Sequence, residues 1–314
     1  MLTKLAPILV GAALVASCSR TSVPTGPTAS APTTAAPPAP ATTAPSSSPV
    51  AHRPPAKVLV IVEENHGTSS ALSSMPTLAQ LAHQYGYATN YLALTHPSLP
   101  NYLALAGGST FGVTDDAGPS THPIPGQSVF DQALALGRSA RTYAESMDGP
   151  CQLTSHGDYA VRHNPWTYFS DARSRSGCDR YDLPAGSTAS GSLNSDVRAG
   201  RLPDIGFLVP NLCHDAHDCS LGTADSWLRD WLSVLRSGPD WTSGRLAIVV
   251  TFDENEGGSP NTVLTAVLSP GLQQVVTTAP LSHYSLVRFL DETIGAPELR
   301  GAAGAASLAA AFGL

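Results

Sequence analysis

Two unbroken apolar runs dominate the hydrophobic pattern of this chain: Val58 to Val62 and Leu246 to Phe252, rich in β-branched side chains. Runs of this length without polar alternation predict strands covered on both faces, as in parallel sheets. Ile205 to Val209 and Val263 to Leu268 predict two more strands, each ending beside a proline that would stop it. Apolar residues spaced three and four apart predict helices over Met75 to Tyr85, Ser128 to Leu136, Ala224 to Leu235 and His283 to Ile294. Strands that alternate with helices in this way point to an α/β layer structure.

Polar residues become informative where the apolar runs end. Val62 is followed by Glu63-Glu64-Asn65-His66, and Phe252 by Asp253-Glu254-Asn255-Glu256. Ligand sites in open α/β sheets lie outside the carboxyl ends of the strands, so the two acidic doublets can converge there. A third segment, Tyr91-Leu-Ala-Leu-Thr-His-Pro-Ser-Leu-Pro-Asn101, places Ser98 between an apolar run and a helix start that tolerates Pro100. A hydroxyl at that point faces free backbone N–H groups that hold anions, so Ser98 is a candidate nucleophile for a phosphate held by the same donors, with Thr95 as the nearby substitute. The plain alternative is that Ser98 caps the helix. Glu64, Asn65, Asp253 and Glu254 offer hard oxygen ligands suited to one divalent cation, and ligand type alone does not choose its identity.

The amino terminus changes the picture of where such chemistry would occur. Residues 1–17 combine Lys4 with an apolar stretch and end in Val15-Ala16-Ser17 before Cys18, a signal segment with a lipobox-like end. Cys18 is the expected lipidation site, an ordinary secretory signal is the alternative, and either implies export, to the outer face of a bacterial membrane in the lipidated case. Residues 18–55 are mostly Pro, Thr, Ala and Ser and predict a disordered tether, leaving 56–314 as the catalytic domain. Four further cysteines suit two disulfides in an oxidising compartment. Cys213 and Cys219 bracket a short loop and Cys151 and Cys178 a longer insertion, which favours those pairs, with a Cys/His metal cluster as the competing reading. A net charge of −7 argues against nucleic acid as a partner.

Five segments in order, namely EEN after the first strand, THPSLPNYLAL, Pro210 to Asp218 with its HDAHD, TFDENEGG and SHYSLVRFLDE, resemble the bacterial phosphoesterase family. That family unites acid phosphatases with phospholipases C inside the alkaline-phosphatase-like superfamily, and the order of motifs is most similar to the secreted acid phosphatases of mycobacteria. The resemblance implies a three-layer α/β sandwich with a mostly parallel central sheet and helices on both faces. It also implies hydrolysis of phosphomonoesters, phosphoinositides among them, through a phosphoserine. Carried over position by position, it assigns Glu64, Asn65, Asp253 and Glu254 to the metal, Ser98 to the nucleophile and Asn101 to a phosphate-holding amide. His217 and His283 map to catalytic histidines, and His96, Arg162 and His163 to substrate contacts. Asp253-Glu254 departs from the Asp-His pair of two-zinc relatives, which favours a single hard cation. A phospholipase C acting on diesters and an inactive surface-binding lipoprotein are the competing readings.

Overall fold

The computed structural model describes Gly26 and residues 54–314; the signal segment, Cys18 and, apart from Gly26, the tether as far as residue 53 lie outside the described residues. The strands are β1 (Lys57–Glu63), β2 (Gly86–Ala88), β3 (Tyr91–Leu92), β4 (Ala140–Ala144), β5 (Asp182–Pro184), β6 (Ile205–Val209), β7 (Leu246–Phe252), β8 (Thr265–Leu268), β9 (Val275–Thr277) and β10 (Leu281–Ser282). Eight of them form one sheet in the order β5-β4-β6-β1-β7-β8-β2-β9. Neighbours run parallel from β5 to β7, while β8 is antiparallel to both β7 and β2.

The two apolar runs lie side by side at the centre. β1 pairs with β7 in parallel, Val58 against Ala247 through Glu63 against Phe252. Every β7 residue and nearly all of β1 is buried, which explains the missing polar alternation. The register also brings both acidic doublets to one edge, where the Asp253 N–H donates to the Glu63 carbonyl at 3.0 Å. β6, on the other side of β1, leads into residues 210–219 at the same edge, and the Glu64 N–H donates to the Asp215 carbonyl at 2.8 Å.

The helices pack in two groups. Pro76–Gln84 packs with Leu221–Ser237, and Ser98–Gly107 packs with Val129–Ala135 and His283–Ile294. The observed helices follow the predicted periodic segments to within a few residues at each end. Ser98–Gly107 is buried along all ten residues, consistent with its nearly uniform apolar and small composition. It ends at Gly108, with φ +67°, where an added Cβ would lie 2.3 Å from the Leu299 carbonyl oxygen.

The apolar run before Ser98 behaves differently from the other strands. Only Tyr91 and Leu92 are extended, and they pair with β10 in a separate two-stranded ribbon. That ribbon launches two helices together, Ser98–Gly107 after β3 and His283–Ile294 after β10. Both favoured disulfides are present, Cys151–Cys178 and Cys213–Cys219. Among the described residues the four cysteines are thus committed to each other, which sets aside the Cys/His metal cluster. No helix among the described residues is long and apolar enough to cross a membrane.

Candidate active site

Ser98 is the first residue of its helix, and Pro97 occupies the capping position. The Ser98 hydroxyl accepts no helix N–H; it donates to Glu64 Oε2 at 3.1 Å, with both side chains buried. The simple capping role is therefore set aside by geometry. The start of the helix is capped from elsewhere, as the Leu99 N–H donates to Asp116 Oδ1 at 2.9 Å. Tyr102, one turn after Ser98 on the same face, donates its hydroxyl to Glu64 Oε1. Thr95 turns its hydroxyl back onto the His96 carbonyl at 3.1 Å, away from the nucleophile position.

Carboxylates crowd around the hydroxyl. Burial and the neighbouring charges of Asp253 and Asp215 hold the Glu64 carboxyl well above its ordinary pKa. Burial likewise pushes Asp253 up to about 7, against the hydrogen bond from the Asn65 N–H that favours its charged form. Glu254 rises to about 8 through burial and the nearby charges of Asp253 and Asp116. Asp253 Oδ2 is buried and has no hydrogen-bond partner. Asn65, in the left-handed region at φ 52°, donates its N–H to Asp253 Oδ1 at 3.1 Å. Its carboxamide reaches Glu64 Oε2 and Glu254 Oε1, both at 3.2 Å. With nitrogen on that side it donates to both; with oxygen there, three oxygens converge as they would around a cation.

A second group shares Glu64. Ligand atoms of Glu64, His163 and Asp215, all buried, lie within 4.8 Å of one another. His163 stacks on Tyr102 with ring centroids 5.1 Å apart, places Nδ1 3.1 Å from Asp215 Oδ2, and sets Nε2 3.2 Å from Glu64 Oε1 without hydrogen-bond geometry. Burial first, then the charges of Arg162 and His217, keep this imidazole neutral, the state a metal ligand needs. His163 thus sits inside the carboxylate group and not at a substrate-facing wall. Unpaired buried oxygens, a neutral imidazole and few compensating cations fit a hard divalent ion.

The other candidate residues divide sharply. His217 is half-exposed; its Nδ1 lies 2.6 Å from Asp218 Oδ1, and Arg162 Nη2 donates to its Nε2 at 3.1 Å. Arg162 and His217 therefore stand together at the open side of His163, whose ring is centred 5.9 Å from that of His217. His96 Nδ1 lies 2.9 Å from Glu254 Oε2. His283 is fully buried, with Nε2 2.7 Å from the Asp253 carbonyl oxygen and Nδ1 3.2 Å from the Tyr91 hydroxyl. Burial pushes it down to about 4, and both nitrogens are engaged, so the geometry fits a strut beneath Asp253 better than a proton donor. Asn101 is also committed. Its oxygen accepts from the Leu94 and Thr95 N–H groups, and its nitrogen donates to Thr95 and Pro97 carbonyls and to Glu254. It ties the nucleophile turn instead of presenting a free amide to phosphate.

Known structures of similar fold include a protein of the alkaline phosphatase superfamily from Vibrio parahaemolyticus, 12% identical with TM-score 0.50 over 81% of this chain and 71% of that one. A lipoteichoic acid synthase from Listeria monocytogenes is 11% identical with TM-score 0.51 over 79% and 74%. Together with the mostly parallel sheet, these show an α/β fold of alkaline-phosphatase-like architecture. The chain belongs to the phosphoesterase family, whose description matches residues 69–297. Its relatives include a phosphatidylinositol-3-phosphatase of Mycobacterium tuberculosis, 30% identical over 77% of this chain and 78% of the relative. A probable acid phosphatase of Kluyveromyces lactis is 31% identical over 71% of this chain and 54% of the relative, so the chain spans about half of that fungal protein. A phospholipase C A of Mycobacterium tuberculosis is 34% identical over 34% of this chain and 20% of the relative.

Proposed function

We propose that the protein is an exported acid phosphatase that cleaves phosphomonoesters through a phosphoserine at Ser98. The observation that carries this reading is the buried Ser98 hydroxyl donating to Glu64 at the carboxyl edge of the sheet, beside an unpartnered Asp253 oxygen. As Oγ bonds to phosphorus, its proton moves towards the Glu64 carboxylate and the ester P–O bond breaks. Arg162 is suited to hold equatorial oxygens by paired N–H donors, and its move onto them releases Nε2 of half-exposed His217, which Arg162 otherwise occupies, to carry a proton to the leaving oxygen. The Leu99 N–H at the helix start supplies a further donor for the phosphoryl group. Water then releases phosphate from the serine.

A divalent cation would be held by Glu64 with Asp253, Glu254 and Asn65, or with His163 and Asp215. Once bound, it would polarise a phosphate oxygen and lower the pKa of the attacking hydroxyl. The mycobacterial relative makes phosphoinositide monoesters the first substrates to try, and the phospholipase C relative makes a phosphocholine diester the proper comparison. Ser98→Ala is expected to keep the fold and lower monoester turnover by about three orders of magnitude or more. Assaying monoester and diester side by side tests both points. Near-normal monoester turnover in the mutant would remove Ser98 from the nucleophile role, and turnover of the diester alone would move the protein to the phospholipase C class.

Lipidation at Cys18 would tether the domain at the membrane surface. Cys18→Ser should then shift the protein from the membrane fraction to the soluble one on fractionation of expressing cells, and unchanged membrane retention counts against a lipid anchor.

A further inference from the structure

The nucleophile helix already carries an anion. Its Leu99 N–H, the residue next to Ser98, donates to the Asp116 carboxylate at 2.9 Å. Asp116 comes from the irregular segment between Gly108 and Ser128 and is exposed, whereas Ser98, Leu99 and Glu64 are buried. The segment around it is pinned independently of that contact. Asp115 Oδ1 accepts from the Ala117 N–H at 2.9 Å and lies 2.6 Å from His122 Nε2, and the Tyr168 hydroxyl donates to the Ala117 carbonyl at 3.2 Å. Among the described residues the Asp116 side chain makes no other hydrogen bond. Rotation of that one side chain into solvent would free the Leu99 N–H and leave the loop in place.

We infer that Asp116 is an internal competitor for phosphate, occupying with its carboxylate the helix-start donor that a phosphoryl oxygen takes during turnover and reclaiming it when product leaves. This rests on the Ser98 reading above. A helix start next to a nucleophile is an anion site by its free donors and dipole. A carboxylate and a phosphoryl oxygen accept from the same N–H in the same way, so one must leave before the other binds. The effect is a uniform cost: bound substrate, transition state and free phosphate all displace Asp116, so affinity falls without a change in the chemical step. For a phosphatase whose product is itself a tight-binding oxyanion, that cost limits product inhibition.

The test is calorimetric titration of the full-length protein with inorganic phosphate for wild type, Asp116→Ala, Asp116→Asn and Asp115→Asn, with thermal unfolding of each as the fold control. Losing an exposed, singly bonded competitor should tighten phosphate binding by about threefold to tenfold in Asp116→Ala, with an intermediate gain in Asp116→Asn. Asp115→Asn removes a charge from the same loop but leaves the Leu99 bond, so it should change binding by less than about twofold. In parallel, the KM of Asp116→Ala for a phosphomonoester should fall by the same factor as the phosphate Kd, at unchanged kcat. Unchanged or weaker phosphate binding in folded Asp116→Ala overturns the inference and leaves the Ser98 reading standing. An equal gain in Asp115→Asn also overturns it, because general charge repulsion then explains the result. Absence of phosphate binding in wild type and all variants overturns the inference and the phosphatase reading together.

Discussion

At the scale of single residues, His283 shows how position alone fails to assign a role. It stands at the start of a helix beside the site, yet both ring nitrogens are spent within the core, on the Asp253 carbonyl and the Tyr91 hydroxyl. Its contribution is to fix the end of β7, and with it the Asp253 side chain next to Ser98. His283→Phe should destabilise the protein by about 1–3 kcal/mol in denaturant unfolding, the cost of leaving a buried carbonyl and hydroxyl without partners. Activity should fall with the loss of order at Asp253, while the shape of the pH profile of kcat stays as in wild type. Disappearance of one limb of that profile would restore His283 as an acid or base. Residues at the ends of strongly patterned strands, such as Glu64 and Asp253, were readable from sequence because register forces neighbouring parallel strands to finish together. Tyr102 was within reach too, one helical turn beyond Ser98. Asp116 was not: it lies in a polar loop without periodicity, and its partner Leu99 is chosen by tertiary structure.

At the scale of elements, the site is assembled from the ends of β1 and β7, one turn before a buried helix, and the loop after β6. The periodic elements carrying these pieces were legible, whereas short pieces such as β2, β5 and the helix Thr68–Ser74 were not, since three to seven residues hold too few apolar repeats. The apolar run from Tyr91 is visible in the sequence, but its pairing with β10 is not, because two residues on each strand carry no period. The loop after β6 is stapled by Cys213–Cys219, with a sequence separation of 6, while Cys151–Cys178 spans 27. Loop-closure entropy assigns about 2 kcal/mol to the short staple and about 3.5 kcal/mol to the long one. Function should rank them in reverse, because the short loop holds Asp215 and His217. Replacing Cys213 and Cys219 by Ser should lower kcat/KM by about tenfold or more at the smaller stability loss. Replacing Cys151 and Cys178 should give the larger stability loss and the smaller kinetic one. Equal kinetic losses in the two double mutants would refute a positioning role specific to the short staple.

For the molecule as a whole, the concentration of buried acids sets how stability depends on pH. Burial lifts Asp182, Asp215, Asp253 and Asp291 each to about 7 and Glu254 to about 8. Their unfolded values are near 3.8 for Asp and 4.5 for Glu. Between those limits the folded chain holds more protons than the unfolded one, so stability falls as pH rises. It is fully present below about pH 4 with respect to these groups and is lost as pH passes through 7 to 8, opposite to the usual carboxylate that is stabilised by an ion pair. In chelator, the thermal midpoint should therefore drop on the order of 10 °C from pH 5 to pH 8. A divalent cation should recover part of that drop at pH 8 and little at pH 5, because it replaces protons only on Asp215, Asp253, Glu254 and Glu64, while Asp182 and Asp291 lie outside the site. A midpoint that is flat or rises over this range would mean that the buried acids are neutralised by something other than protons. Equal stabilisation by the cation at both pH values would mean that it binds away from them.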